Sequence, residues 1–500
     1  MTVEDHAGHE QLGHSDHEHS DSAHRGHGHT SHDQGHAHMG DDQGHGKTTH
    51  DHAKQRGHEA HGTPADLKAA YDHAYEEAQP AAGCEVVSVD LAAGEFEWEF
   101  SPGRRTRAWG FNGAIPGPTI EARVGDVLEI RLTNNLSEPT AIHWHGLRVP
   151  AAMDGTDMVQ RPLAPGETFT YRFLVPDAGT FWYHPHVNET VQLERGLYGA
   201  LIVREREELV TDGEQVFVFD DVQLDRQGQI KPPGWWKESH NGRVGSTRLI
   251  NGKREPEINL SAGQVERWRI VNAASARYLR LSIGGRPFKI LGTDGGLIPA
   301  PHETKEVLIA PADRVELAVG PFEEGETLAV ESLKYNRGAF EIPKSEAFGT
   351  LRVGPRAPSR AKIPGRLREI EPLVTTPVEP TRVVQLGWKL SRKHGVDFTI
   401  NKELHHHAES CTVGALQVWE IVNGSPVDHP FHLHGFFFQV VAVNGEPPAF
   451  LSWEDTVNIP ARGRVRIAWV PDDRPGEWMY HCHILEHHAA GMMAHFDVVR

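Results

Sequence analysis

One pattern that occurs three times constrains this chain more than any other feature. PTIEARVGDVLEIRLTNN (118–135), PEINLSAGQVERWRIVNAA (256–274) and SCTVGALQVWEIVNGSP (410–426) each hold a turn glycine (Gly125, Gly263, Gly414), an alternating strand and an Asn-containing turn. A second echo follows each first: PGETFTYRFLVPDAGTFWYHPH (165–186), PADRVELAVGPFEEGETLAV (311–330) and PARGRVRIAWVPDDRPGEWMYHCH (460–483). Repeats of this length are too long for a solenoid, so each copy should be a whole domain. Short alternating strands between Gly and Pro turns, with little helical period, point to antiparallel sandwiches. The expectation is therefore all-β, with units at about 81–204, 205–355 and 380–500, and a Pro- and Arg-rich linker at 356–379.

The segments ahead of the first unit read differently. Residues 1–63 are mostly His, Gly, Asp, Ser and Glu, and so little apolar area cannot offset the entropy of ordering the segment. A disordered tail is expected, and its H-x-H pairs suit capture of extra copper or other metal ions. Pro64 to Gln79 has Pro at a helix start and Leu67, Ala70, Tyr71 and Tyr75 at helical spacing, so a short helix is expected over 64–80.

With 69 acidic and 50 basic residues the net charge is −19, which disfavours nucleic acid or an anionic membrane as partner and favours cationic or neutral substrates. No apolar stretch is long enough to span a membrane, and no basic start precedes an apolar run, so the chain as given shows no secretion signal. Three cysteines make no disulfide framework; one Cys84–Cys411 bridge stays open. Histidine, at 35 residues, is the compositional anomaly, and it points to metal.

Four histidine clusters lie in the first and third units and none in the second: HWHG (143–146), HPH (184–186), HPFHLHG (429–435) and HCHILEHHAAGMM (481–493). Alternate residues of a strand share a face, so each H-x-H pair presents two imidazoles to one place, and Cys482 points the other way from His481 and His483. A thiolate with imidazoles and a weak thioether is the ligand set of a blue copper electron-transfer site, supplied here by Cys482, His487, Met492 and His429. The other eight, His143, His145, His184, His186, His432, His434, His481 and His483, are left for a cluster of several metal ions at the seam of the first and third units.

These motifs, in this order, resemble the copper-binding signatures of the multicopper oxidases, over roughly residues 85–500. The resemblance implies three cupredoxin-like Greek-key β-sandwich domains and four copper ions. It places type 1 copper on His429, Cys482 and His487 with Met492 axial, and type 2 on His143 and His432. It gives a type 3 pair to His145, His184, His186, His434, His481 and His483. Cys482 then links the sites, and Asp154, in MDG after HWHG, matches the family's proton-shuttling acid, although a D-G turn also explains it. The residue after His487, often acidic in bacterial members, is His488 here, and Glu486 or His488 itself could take over that role.

The activity so implied is one-electron oxidation of a small reductant coupled to four-electron reduction of O2 to water. A Met492 axial ligand and a scarcity of methionine, 7 in all, favour phenols or aromatic amines, as in laccases. The alternatives are a Cu(I) or Mn(II) oxidase serving copper tolerance, for which His405, His406 and His407 offer a second metal-access loop, and a non-catalytic copper-sequestering protein. The family also implies a periplasmic or secreted location, against which the missing signal leaves a cytoplasmic one open.

Overall fold

The computed structural model describes residues 63–500 apart from 233–239, 339–341 and 393–394. All of the His-rich tail but Thr63 lies outside the described residues. The helix Pro64–Glu77 follows Thr63, whose hydroxyl accepts from Asp66 N (3.3 Å) while Thr63 N donates back to Asp66 (3.0 Å). That reciprocal cap, with Pro at the first turn, fixes the helix start. Tyr71 and Tyr75 then anchor it on the first sandwich through Thr170 O (2.9 Å) and Glu129 (3.0 Å).

Six sheets follow in three sequence blocks, two per block, as cupredoxin-like sandwiches. The triplicated strand holds the same place in each. Val127–Asn135, Glu266–Asn272 and Gln417–Asn423 pair in parallel with the first strand of their own block, Val86–Ser101, Gly213–Val222 and Arg382–Ser391. On its other side each pairs antiparallel with the strand of the second echo: Thr168–Leu174, Arg314–Val319 and Arg464–Trp469. Such a strand is covered on both sides by hydrogen-bonded neighbours, which suits its buried apolar alternation.

Each copy closes on an asparagine that makes the same bonds. Asn134 Nδ2 donates to the carbonyls of Glu138 and Leu163, and its Oδ1 accepts from Leu136 N. Asn272 serves Arg277 O, Ile309 O and Ala274 N, and Asn423 serves Val427 O, Ile459 O and Ser425 N. All three are buried. A buried amide with every group satisfied welds the turn to the neighbouring chain segment.

The second sheets of the first and third blocks carry the histidines. Ile142–His145 runs antiparallel to Gly179–Pro185 with His143 opposite His184, and His429–Leu433 runs antiparallel to Gly476–Cys482 with His432 opposite His481. Residues 357–381 cross between the second and third blocks without a strand of their own, held by bonds such as Arg368 Nη1 to Gly295 O (2.7 Å). All three cysteines are free, so Cys84 and Cys411 do not pair.

Candidate metal centre

Cys482 lies in the third core, and its sulfur sits 3.4 Å from His429 Nδ1 and 3.7 Å from His487 Nδ1, with 3.3 Å between the two nitrogens. The outer nitrogen of each ring is tied elsewhere. His487 Nε2 donates to His240 O (3.1 Å). His429 Nε2 meets Ser425 Oγ (2.7 Å), whose own proton goes to Val427 O (2.9 Å). Each imidazole thus carries its proton on Nε2 and turns an Nδ1 lone pair toward the other and toward sulfur. Two lone pairs face to face repel unless a cation lies between them. Burial holds both imidazoles below their ordinary value, His429 at about 3, so protonated rings do not relieve the repulsion, and it pushes the Cys482 thiol up. Met492 is buried in the same core, with its N–H on His487 O (3.0 Å).

The other eight histidines converge at the seam between the first and third blocks. Donor atoms of His145, His184 and His483 form one close set, and those of His186, His434 and His481 a second. His143 and His432 stand beside them, their rings 5.7 Å apart. Outer nitrogens are again pinned by acceptors: His143 by Asp154 O (3.0 Å), His184 by Pro185 O (2.9 Å), His481 by Cys482 O (3.0 Å) and His432 by Asp455 O (3.0 Å). Carboxylates hold three more, Asp154 on His434 (2.9 Å), Asp455 on His145 (3.1 Å) and Glu189 on His186 (3.1 Å).

Inward, lone pairs meet lone pairs. His434 Nε2 lies 3.0 Å from His481 Nε2, and His184 Nε2 lies 3.5 Å from His145 Nδ1. Nε2 of His143, His186 and His432 and both nitrogens of His483 have no hydrogen-bond partner. A shared proton would make an imidazolium, yet burial, reinforced by neighbouring imidazoles, holds His434, His481 and His483 well below the ordinary value. So many buried acceptors without donors fit metal ions, and neutral imidazole with one thiolate suits copper.

Family models for multicopper oxidase match residues 93–208, 220–323 and 375–500. Multicopper oxidase MmcO of Mycobacterium tuberculosis is 30% identical over 437 residues, covering 78% of this chain and 82% of that protein. The chain belongs to the multicopper oxidase family. Such enzymes are copper-dependent oxidoreductases with O2 as electron acceptor. Among solved structures, a Campylobacter jejuni multicopper oxidase described as a metallo-oxidase is 32% identical (TM-score 0.74), covering 83% of this chain and 91% of that one. A laccase from Pediococcus acidilactici is 26% identical (TM-score 0.72), covering 84% and 92%.

Several residues that complete this multicopper oxidase site carry no motif. Asp455 accepts from His145 and also pairs with Arg314 of the second block, so the block without a histidine cluster braces the site. Glu189 reaches from the first block to both His186 (3.1 Å) and His488 (2.7 Å), while His488 stacks on His481 with ring centroids 4.2 Å apart. A carboxylate therefore stands at this point after all, delivered from the short helix Glu189–Gln192 instead of position 488. Glu486 is turned away, accepting from Arg243 N (3.0 Å). Only the Asp154 and His487 neighbourhoods had a sequence signal; Asp455 and Glu189 become visible through cross-strand and interdomain register. Of the 405–407 loop, His406 pairs with Glu403 (2.7 Å) and His407 packs on His495 (4.7 Å between centroids).

Proposed function

We propose that this multicopper oxidase is laccase-like, taking single electrons from phenols or aromatic amines. The observation that carries this reading is a cavity of about 710 Å³ next to the Cys482 site. Asn241, in its wall, adjoins His240, whose carbonyl receives His487 Nε2. Tyr278 and Tyr335 stack in the same wall at 5.5 Å, a surface suited to an aromatic ring. Among the described residues, Arg248, Arg277, Arg337, Lys231 and Lys344 line it against a single carboxylate, Glu346, and no thioether takes part. A metal cation is repelled there, and a neutral or anionic phenol is not, which reverses the preference drawn from net charge alone.

The four-ion arrangement belongs to the same proposal. His429, Cys482, His487 and Met492 would hold type 1 copper, His143 and His432 type 2, and the two three-histidine sets the type 3 pair. Copper bound there would supply the one-electron redox chemistry that joins a one-electron donor to the four-electron reduction of dioxygen to water. The protein's own part is placement. Peptide bonds join Cys482 to His481 and His483, so one strand connects the two donor sets within a rigid sheet. Asp154 orients His143 and His434 and is a carboxylate in contact with the cluster, placed for handing on protons. The His-rich tail adds further metal-binding capacity.

Steady-state comparison of a dimethoxyphenol with Cu(I) tests the substrate class: turnover of the phenol is expected, and turnover of the metal alone overturns it. Copper analysis with a visible spectrum tests the site. About four coppers and a blue band lost in Cys482→Ser are expected; a colourless, copper-replete wild type refutes the assignment.

A further inference from the structure

The sheet that holds Cys482 has a second face, and an unusual set of side chains occupies it. Trp478, Tyr480 and Cys482 of Gly476–Cys482 enter the third core, so Met479 and His481 point the other way. On the neighbouring strand, Met493–Val499, the core takes Ala494, Phe496 and Val498, which leaves Met493 and His495 on the outer face. The register sets His481 opposite Met493 and Met479 opposite His495. The short strand His406–His407 adds the next rung, His407 opposite His495, with their rings 4.7 Å apart. From the first block Met158 closes over the row, and Met158, Met479 and Met493 form a cluster of their own, apart from the main cores.

Soft donors thus run without a break from an exposed imidazole, His407, through His495 and three buried thioethers to His481, one of the cluster histidines. Direct cross-strand neighbours stand about 5 Å apart and same-face neighbours along a strand about 7 Å, distances that a monovalent ion crosses by exchanging one ligand at a time. Thioether together with neutral imidazole favours Cu(I), whereas Mg(II) and Ca(II) take oxygen ligands. Packing alone does not require sulfur at three facing positions, because leucine fills a similar volume with fewer rotamers. The chain has 7 methionines, so three in one small cluster is a concentration, and the cluster histidines it leads to are all buried and need a path for metal.

We propose that Met158, Met479, Met493 and His495 form a transient Cu(I) site, reached from His407, through which copper is delivered to the histidine cluster. It rests on the reading of His481 as a cluster ligand. It is separate from the substrate cavity, whose wall holds none of these residues. No electron moves in the transfer: Cu(I) leaves one ligand set and joins the next.

Two measurements test it. In the anaerobically reduced, copper-replete enzyme carrying 13C-methyl methionine, Ag(I) serves as a redox-silent stand-in for Cu(I). The Met158, Met479 and Met493 methyl signals are expected to shift together and saturate at one equivalent, with Met153, buried in the core of the first block, unmoved. If these three stay in place, the site does not exist, whatever metal the tail or the cysteines take up. In copper-depleted protein supplied with Cu(I), Met158→Leu and His407→Ala are each expected to slow filling of the cluster at least fivefold, followed by type 2 EPR after reoxidation, with unchanged final copper content. Wild-type rates in both variants overturn the delivery role. Failure of the cluster reading would show separately, as missing type 2 and type 3 signals in fully loaded wild type.

Discussion

Asp455 turns both carboxylate oxygens to Arg314 and one of them to His145, while its backbone carbonyl takes the proton of His432. Arg314 is buried and held from its other side by Asp294 (3.3 Å). The carboxylate charge is pulled well below the ordinary range: burial pushes the other way, but Arg314 outweighs it. Such a group fixes which nitrogen of His145 is free for metal, and losing a partner of this kind typically costs about 10–100-fold in metal affinity. Asp455→Asn keeps the volume and an acceptor oxygen but removes the charge. We expect about that loss in copper retained by the cluster under competition with a chelator, with the blue band of the Cys482 site preserved; full retention would reduce Asp455 to a packing role. Ser425→Ala acts on the other site. It releases the His429 tautomer, and the expected result is a shifted or weakened blue band with normal type 2 signals.

The repeated strand and its asparagine are the elements that the three blocks share. Their legibility came from two independent periodicities, alternation along the strand and recurrence of the glycine and the asparagine, so the all-β, triplicated architecture could be read before any coordinate. The glycines meet a real backbone demand, with φ of 97° at Gly125, 80° at Gly263 and 77° at Gly414. The histidine faces were legible for the same reason, because H-x-H on a strand has only one geometric outcome. Glu189 and Asp455 were not: nothing local to NET or WEDTV says that one will cross a domain seam and the other will meet an arginine more than a hundred residues away. The asparagines offer a direct measurement at this scale. Asn272→Ala strips a buried carbonyl pair and one N–H of their partner, and a loss of about 1–3 kcal/mol in unfolding free energy is expected from denaturant titration. Asn423→Ala should cost about as much, again in the 1–3 kcal/mol range. It should also disturb copper binding, because its turn carries Ser425 beside His429. Equal copper content in both variants would separate the weld from the site.

At the scale of the whole molecule, a buried charge network clamps the first two blocks together. Glu316 accepts from Thr180 Oγ1 (2.6 Å) in the first block and from Arg267 and Arg269 in the second, and Arg267 also pairs with Glu205 (3.1 Å) where the second block begins. Burial raises the Glu316 carboxyl, but the two guanidiniums outweigh it and bring it down to about 2. A carboxyl lowered on folding contributes stability that is complete above its unfolded value, about 4.3, and fades as pH falls toward the folded value. The thermal midpoint should therefore begin to drop below about pH 4.5, in a chelator-treated sample so that loss of copper does not add its own acid dependence. Glu316→Gln leaves Arg267 and Arg269 without their shared partner and should lower the midpoint at neutral pH, by a free energy of about 3–5 kcal/mol. It should also flatten the acid slope, since the group that titrates is gone. A variant that loses stability at neutral pH yet keeps the wild-type slope would place the acid sensitivity in another carboxylate, with Glu205 and Glu214 next to the same arginines as the first to examine.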